Sequence, residues 1–153
     1  MQKITPCLWF DSESEEAANF YTSIFPNSKI LEVVPYLTET PSNKPIGSTL
    51  LVNFEINGQP FTALNGGPFF KINEAISFQI FCKDQAEIDS YWEKLSANPE
   101  NEQCGWCKDK FGVSWQIVPE NIGELIKTEK AMKAFLQMKK IVIADLKKAA
   151  KGK

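Results

Sequence analysis

Two stretches of the chain share one rhythm of apolar and polar positions. Ile4–Phe10 is a short apolar run with β character, and Ser12 follows it with Glu15 three residues later, the spacing of a capping box. Ala17, Ala18, Tyr21, Ile24 and Phe25 then fall at helical spacing until Pro26 ends the helix. Lys29–Val34 and Ser48–Ile56 read as strands, separated by the proline-rich TETPSNKPIG, a loop long enough to act as a lid. Asn57-Gly58 signals a hairpin into the strand Phe61–Leu64, and Asn65–Pro68 (NGGP) reads as a linker.

The rhythm restarts at Ile76–Cys82, a strand, followed by Asp84 as cap with Glu87 in the box position and a helical stripe of Ile88, Tyr91, Trp92 and Leu95. A shift of 71 positions superimposes the two units without a gap, carrying Phe10 onto Phe81, Glu16 onto Glu87, Tyr21 onto Trp92 and Ile24 onto Leu95. The later hairpin repeats at a shift of 54, with Gly58 on Gly112 and Phe61 on Trp115. A shared order of strand, capped helix and glycine hairpin points to an internal duplication. The second unit has 16 residues between Leu95 and Gly112 where the first has 33 between Ile24 and Gly58, so it has room for fewer strands.

Composition narrows the class. At 153 residues, 43% apolar and 24% charged, the chain reads as globular, and no apolar run is long enough to cross a membrane. Its start lacks the basic and apolar regions of a signal peptide, and four cysteines are too few for a disulfide scaffold, so reduced thiols in a cytoplasm are expected. There is no histidine and no arginine. The first absence removes the commonest catalytic base and metal ligand, the second the bidentate anchor for carboxylates and phosphates. Residues 127–153 hold nine lysines against Glu129 and Asp145, about +7, leaving about −9 for residues 1–126. With no arginine interleaved, the lysines read as the solvated face of helices that dock through Met132, Phe135, Leu136, Ile143 and Leu146, and not as a nucleic-acid or membrane surface.

A tandem β-α-β-β-β unit carrying TPCLWFDSESEEAANFYTSIFPNSKI, FTALNGGPFFKINEAISFQIFC and QCGWCKDKFGVSWQIVP resembles the vicinal oxygen chelate superfamily of glyoxalase I, extradiol dioxygenases and bleomycin-resistance proteins. Within it the chain is similar to the PhnB-like branch, often labelled 3-demethylubiquinone-9 3-methyltransferase. The resemblance implies an α+β fold in which two modules curl their strands into a cup, here residues 1–126 built of repeats at about 1–65 and 70–120, the second shortened, with a basic helical tail over 127–153. It also implies a homodimer. Many members hold a metal with His, Glu or Gln on the first and last strands of each module; those positions fall here on Ile4, Thr62, Ala75 and Gln116, which cannot hold a divalent ion.

Strand alternation from those positions proposes a pocket lined by Pro6, Leu8, Phe10, Thr62, Leu64, Ser77, Gln79, Phe81, Ser114 and Gln116. Trp9, Phe61, Ala63, Phe78, Trp115 and Ile117 then face the helices, as do Cys7 and Cys82. Gln79, Gln116, Thr62 and Ser77 either bond each other or wait for a ligand. The Cys104-x-x-Cys107 pair is expected in the strand entering the Asp109–Gly112 turn, ~10 Å apart, with no helix to activate a thiol and no second pair for zinc. The expected function is metal-free, cofactor-free binding of a small molecule, with no catalytic residue identified. A methyltransferase without a glycine-rich cofactor loop and a dimeric scaffold without a ligand are the alternatives.

Overall fold

Asn57 and Gly58 sit at left-handed φ angles of 49° and 80° in the computed structural model, which describes residues 3–152. That pair of angles makes a tight turn whose twist matches the strands it joins. Here it joins β3 (Thr49–Ile56) to β4 (Gln59–Asn65), with Ile56 opposite Gln59. β2 (Lys29–Pro35) pairs antiparallel with the far edge of β3, and β1 (Cys7–Phe10) runs parallel to β4, giving the order β1-β4-β3-β2. A parallel pair needs a crossover, which α1 (Ser14–Ile24) supplies. Fully buried Ala17, Ala18 and Tyr21 lie against the sheet, where the Tyr21 and Phe54 rings stack at 6.3 Å and Phe54 and Phe61 at 5.6 Å.

The chain divides into two compact units between Ile72 and Asn73. The second repeats the plan with one strand fewer: β5 (Ser77–Cys82), α2 (Gln85–Leu95), β6 (Trp106–Lys108) and β7 (Ser114–Pro119), in the order β5-β7-β6 with β5 parallel to β7. A short 3-10 turn at Pro99–Asn101 fills the stretch where the first unit has β2. α2 buries Ile88 and Leu95, and Asp84 caps it by accepting from the Glu87 N–H at 2.9 Å, as the sequence predicts. These are the two β-α-β-β-β modules, the second shortened, that the sequence implies.

α1 starts differently from expectation. Ser12 does not cap it; Asn65, at the end of β4, reaches across and accepts from the Ser14 N–H at 2.9 Å. The same buried side chain donates to the Thr49 carbonyl at 3.0 Å, and its main-chain carbonyl accepts from the Tyr36 hydroxyl. Tyr36 in turn receives Ser42, and Lys44 pairs with Asp11 at 2.6 Å, so the proline-rich loop is tied down at both residues. Three residues, Asp11–Glu13, connect β1 to α1, whereas two, Lys83 and Asp84, connect β5 to α2. The helices therefore superimpose at the 71-residue shift (Ser14 on Gln85), but the first strands need 72 (Phe10 on Cys82). The gap-free superposition is corrected by that one residue.

The CGWC segment is also corrected. The strand begins only at Trp106, while Cys104 and Gly105, with φ of 38° and 90°, form the corner of a tight turn closed by Gln103 and Trp106. The turn is a dock for the C-terminal segment: Cys104 N–H donates to the Met138 carbonyl at 2.6 Å, Gly105 N–H to Lys139 at 2.8 Å, and Gln103 Nε2 to Leu136 at 2.6 Å. A side chain at Gly105 would press on the Ile117 carbonyl and on Ile141. Beyond β7 come α3 (Ile122–Leu125), α4 (Glu129–Gln137) and α5 (Ile143–Lys151), which bury Leu125, Ile141 and Leu146 with Phe135 and Ile143 around them. Met132 and Leu136, expected in that contact, stay 38% and 47% exposed.

Gln85 clasps the segment from α2. Its Nε2 donates to the Ile141 carbonyl at 2.9 Å and its Oε1 accepts from the Ile143 N–H at 2.8 Å. Replacing it by alanine leaves both backbone groups unpaired. We expect Gln85→Ala to lower unfolding free energy by about 1–2 kcal/mol and to admit protease near residues 138–143, read by urea titration and limited proteolysis. Asp109 holds the other end of β6. Its Oδ1 accepts from the Phe111 and Val113 N–H groups at 2.8 and 3.1 Å, and its Oδ2 from Trp115 Nε1 at 2.9 Å. Asp109→Ala strips three donors of their acceptor in a buried turn and is expected to cost about 3 kcal/mol in the same titration; an unchanged midpoint contradicts this account.

Candidate functional site

Each sheet has one face covered by its helix and one left open. In the first unit Val52, Phe54, Phe61, Ala63 and Asn65 face α1, so Asn53, Thr62 and Leu64 take the open face. The parallel register sets Leu8 beside Ala63 and Phe10 beside Asn65. Leu8 and Phe10 are thus buried under α1, not in a pocket, and the sequence-derived lining is corrected there. Cys7 and Trp9, expected against the helix, stand beside Thr62 and Leu64 on the open face instead. The cause is the extra residue before α1: the shift read from the helices puts β1 one position out, and one position exchanges the faces of a strand.

Trp9 is fixed in that place. Its Nε1 donates to the Gly67 carbonyl at 2.9 Å, Phe70 meets its ring edge-on at 5.0 Å, and a Cβ on Gly66 would lie 2.3 Å from the indole. Next to it Thr62 donates to Asn53 Oδ1 at 2.8 Å and Asn53 to Glu32 at 3.2 Å, a polar row beside an open hollow of about 560 Å³.

In the second unit the expected residues do share a face. Phe78 packs on Trp115 with Ile80, Cys82 and Ile117 on the α2 side, which leaves Ser77, Gln79, Phe81, Ser114 and Gln116 on the other. Gln116 Nε2 donates to Ser77 Oγ at 2.9 Å. β6 extends this face with Trp106 opposite Gln116 and Lys108 opposite Ser114, two residues that alternation outward from Gln116 implies once β6 is known to pair with β7. At this end lies a cavity of about 320 Å³, lined among others by Glu74, Gln103, Cys104, Trp106, Lys108 and Ser114. Ser114 alone of the sequence-derived lining residues borders it. Lys108 pairs with Glu74, and its ammonium holds the Glu74 carboxyl below the usual range, chiefly through the hydrogen bond and then through charge.

A divalent ion does not fit the four positions that the resemblance implies. Thr62 and Gln116 offer neutral oxygens, Ala75 offers nothing, and Ile4 lies outside β1, 84% exposed. The 72-residue offset moves the fourth position from Ile4 to Lys3, a cation. Among the described residues no three His, Cys, Asp or Glu side chains come together.

The thiols are poor nucleophiles. Burial pushes Cys107 up to about 12, helped by Asp109 and Glu102, and Cys82 up to about 12, helped by Glu87 and Asp84. Cys104 is raised by burial as well. Cys7 is also raised by partial desolvation, yet it is exposed and a reagent can reach it. Titration with a thiol reagent at pH 8 is expected to label Cys7 first, Cys104 more slowly, and Cys82 and Cys107 only on unfolding. Because the folded state keeps Cys82 and Cys107 protonated, their contribution to stability is complete below the ordinary thiol value of 9.0 and disappears as pH rises toward 12. Fast labelling of Cys107 in the folded protein contradicts this.

Among known proteins, the family model described as 3-demethylubiquinone-9 3-methyltransferase matches residues 2–118. The solved structure of a PhnB protein from Bacillus cereus is 34% identical with a TM-score of 0.63, over 76% of this chain and 99% of that one. Protein PA1353 from Pseudomonas aeruginosa shares the fold at 18% identity and a TM-score of 0.57, over 78% of this chain and 98% of that one. No curated protein matches the chain. The two modules, the family match through β7 and the likeness to the PhnB protein agree: the chain belongs to the 3-demethylubiquinone-9 3-methyltransferase family.

Proposed function

We propose that the protein binds a small organic molecule without a metal, on the open sheet face of the second unit. The observation that carries this is the 320 Å³ cavity beside a row of polar side chains on β5, β6 and β7. Gln116 and Ser77 satisfy each other, and Trp106 offers a ring at the wall. Small apolar cavities with a few convergent polar groups are where ligands bind. In this reading residues 1–126 carry the site and the helices of residues 127–153 support it, because Gln103 and Cys104 are pinned to Leu136 and Met138. The working unit is a homodimer: Ile76 and Phe81 of the second unit are each more than half exposed, apolar groups that a second copy of the chain would cover with closed symmetry. Four free thiols suit a reducing compartment such as the cytoplasm.

Methyl transfer is the reading favoured by the family's description. The strand-to-helix connections Asp11–Glu13 and Lys83–Asp84 contain no glycine to cradle a nucleotide-like methyl donor, which supports ligand binding over methyl transfer. Thermal unfolding against a broad metabolite panel separates the readings. We expect at least one small planar compound to raise Tm by several degrees, the shift to vanish in Trp106→Ala, and the methyl donor S-adenosylmethionine to give none. Sedimentation should report twice the 17.3 kDa chain mass. A shift from the methyl donor alone favours methyl transfer, and a panel without any shift leaves a ligand-free dimeric scaffold.

A further inference from the structure

We infer that the cavity of the second unit takes a planar organic anion, whose carboxylate or enolate pairs with Lys108 in the place Glu74 now holds. The inference rests on the binding reading above and names the class of ligand. Two asymmetries carry it. Lys108 is fixed: it belongs to β6, faces the cavity opposite Ser114, and its side chain is only 25% exposed. Glu74 is not fixed in this way, since it lies outside any strand on the approach to β5 and its side chain is 64% exposed. An ion pair so open to water contributes at most about a fivefold factor, so a competing carboxylate displaces Glu74 at little cost. Lys108, being shielded, loses more if left alone than Glu74 does.

The rest of the lining fits that class. Among the described residues that line the cavity, Glu74 and Lys108 carry the charges; Asn101, Gln103 and Ser114 offer hydrogen bonds, and the two cysteines there are held as neutral thiols. A ligand anion therefore meets one lining cation once Glu74 swings out, with the charges of Asp109 and Glu102 set behind Cys107 and outside the lining. Trp106 provides an indole surface for a flat ring. A lysine ammonium is a compact point charge, which suits a single carboxylate or enolate oxygen better than the bidentate grip of an arginine, a residue this chain lacks.

Benzoate and benzamide test this, because they share ring and volume and differ in charge. Calorimetric titration of the full chain should give tighter binding of benzoate, by about fivefold or more. Glu74→Gln should tighten benzoate a further threefold to fivefold and leave benzamide unchanged. Lys108→Gln should abolish the preference, and Lys108→Arg should restore part of it, with circular dichroism confirming that each variant is folded. Equal binding of the two probes by the unaltered protein overturns the anion class while leaving the cavity a ligand site. Weaker benzoate binding in Glu74→Gln also overturns it, since Glu74 would then be helping the ligand and not standing in for it. Binding of neither probe overturns it too, and in that case a hit in the wider metabolite panel keeps the binding reading alive by itself.

Discussion

The parallel pairing of first strand with last strand, repeated in each unit, is the constraint from which most of the architecture follows. Two parallel neighbours cannot be joined by a hairpin, so the chain must leave the first strand, cross one face of the sheet and return. The crossing is made by α1 and α2, and it decides that one face is dry and the other open. The antiparallel pairs then join chain neighbours: β2 with β3 across the proline-rich loop, and β3 with β4 and β6 with β7 through glycine-bearing turns. The register of the parallel pair, Phe10 beside Asn65 and Cys82 beside Pro119, determines which side chains share the open face.

That division explains what could be read from the sequence. α1, α2, their apolar stripes, the cap at Asp84 and both hairpins are written in short-range signals, and they appear where the spacing puts them. The face of β1 is not a local property. It depends on whether two or three residues separate strand from helix, a length that a pattern of apolar positions does not reveal, and so Leu8 and Phe10 exchanged places with Cys7 and Trp9. On β5 and β7 the shared face of Ser77, Gln79, Ser114 and Gln116 was legible because both strands could be anchored independently. Trp106 and Lys108 are hidden in the sequence because the C-x-x-C spacing of Cys104 and Cys107 reads first as a thiol pair. Its positive-φ corner comes from a tertiary contact with Met138 and Lys139, far along the chain.

Two buried polar side chains do for the two units what caps and turns usually do alone. Asn65 joins the start of α1, β3 and the main chain that receives Tyr36, while Asp109 gathers two backbone N–H groups and an indole into one turn. Each directs its hydrogen bonds inward, which offsets the cost of a polar group in a dry interior and ties elements that apolar packing alone leaves free to slide. Neither borders the 320 Å³ cavity, so the framework and the candidate binding chemistry are carried by different residues.

The dependence of the second unit on residues 136–143 has a consequence for the order in which the protein matures. The first unit closes on itself: its hairpin, its crossover and the Asn65 ties all lie before Ile72. The turn at Cys104-Gly105, by contrast, receives its carbonyl partners from a segment more than thirty residues later, and Gln85 waits longer still for Ile141 and Ile143. On the ribosome the first unit can fold while the second is being made. The second stays unlatched until the chain has been threaded well past the end of β7, so the half that bears the 320 Å³ cavity is the last to set.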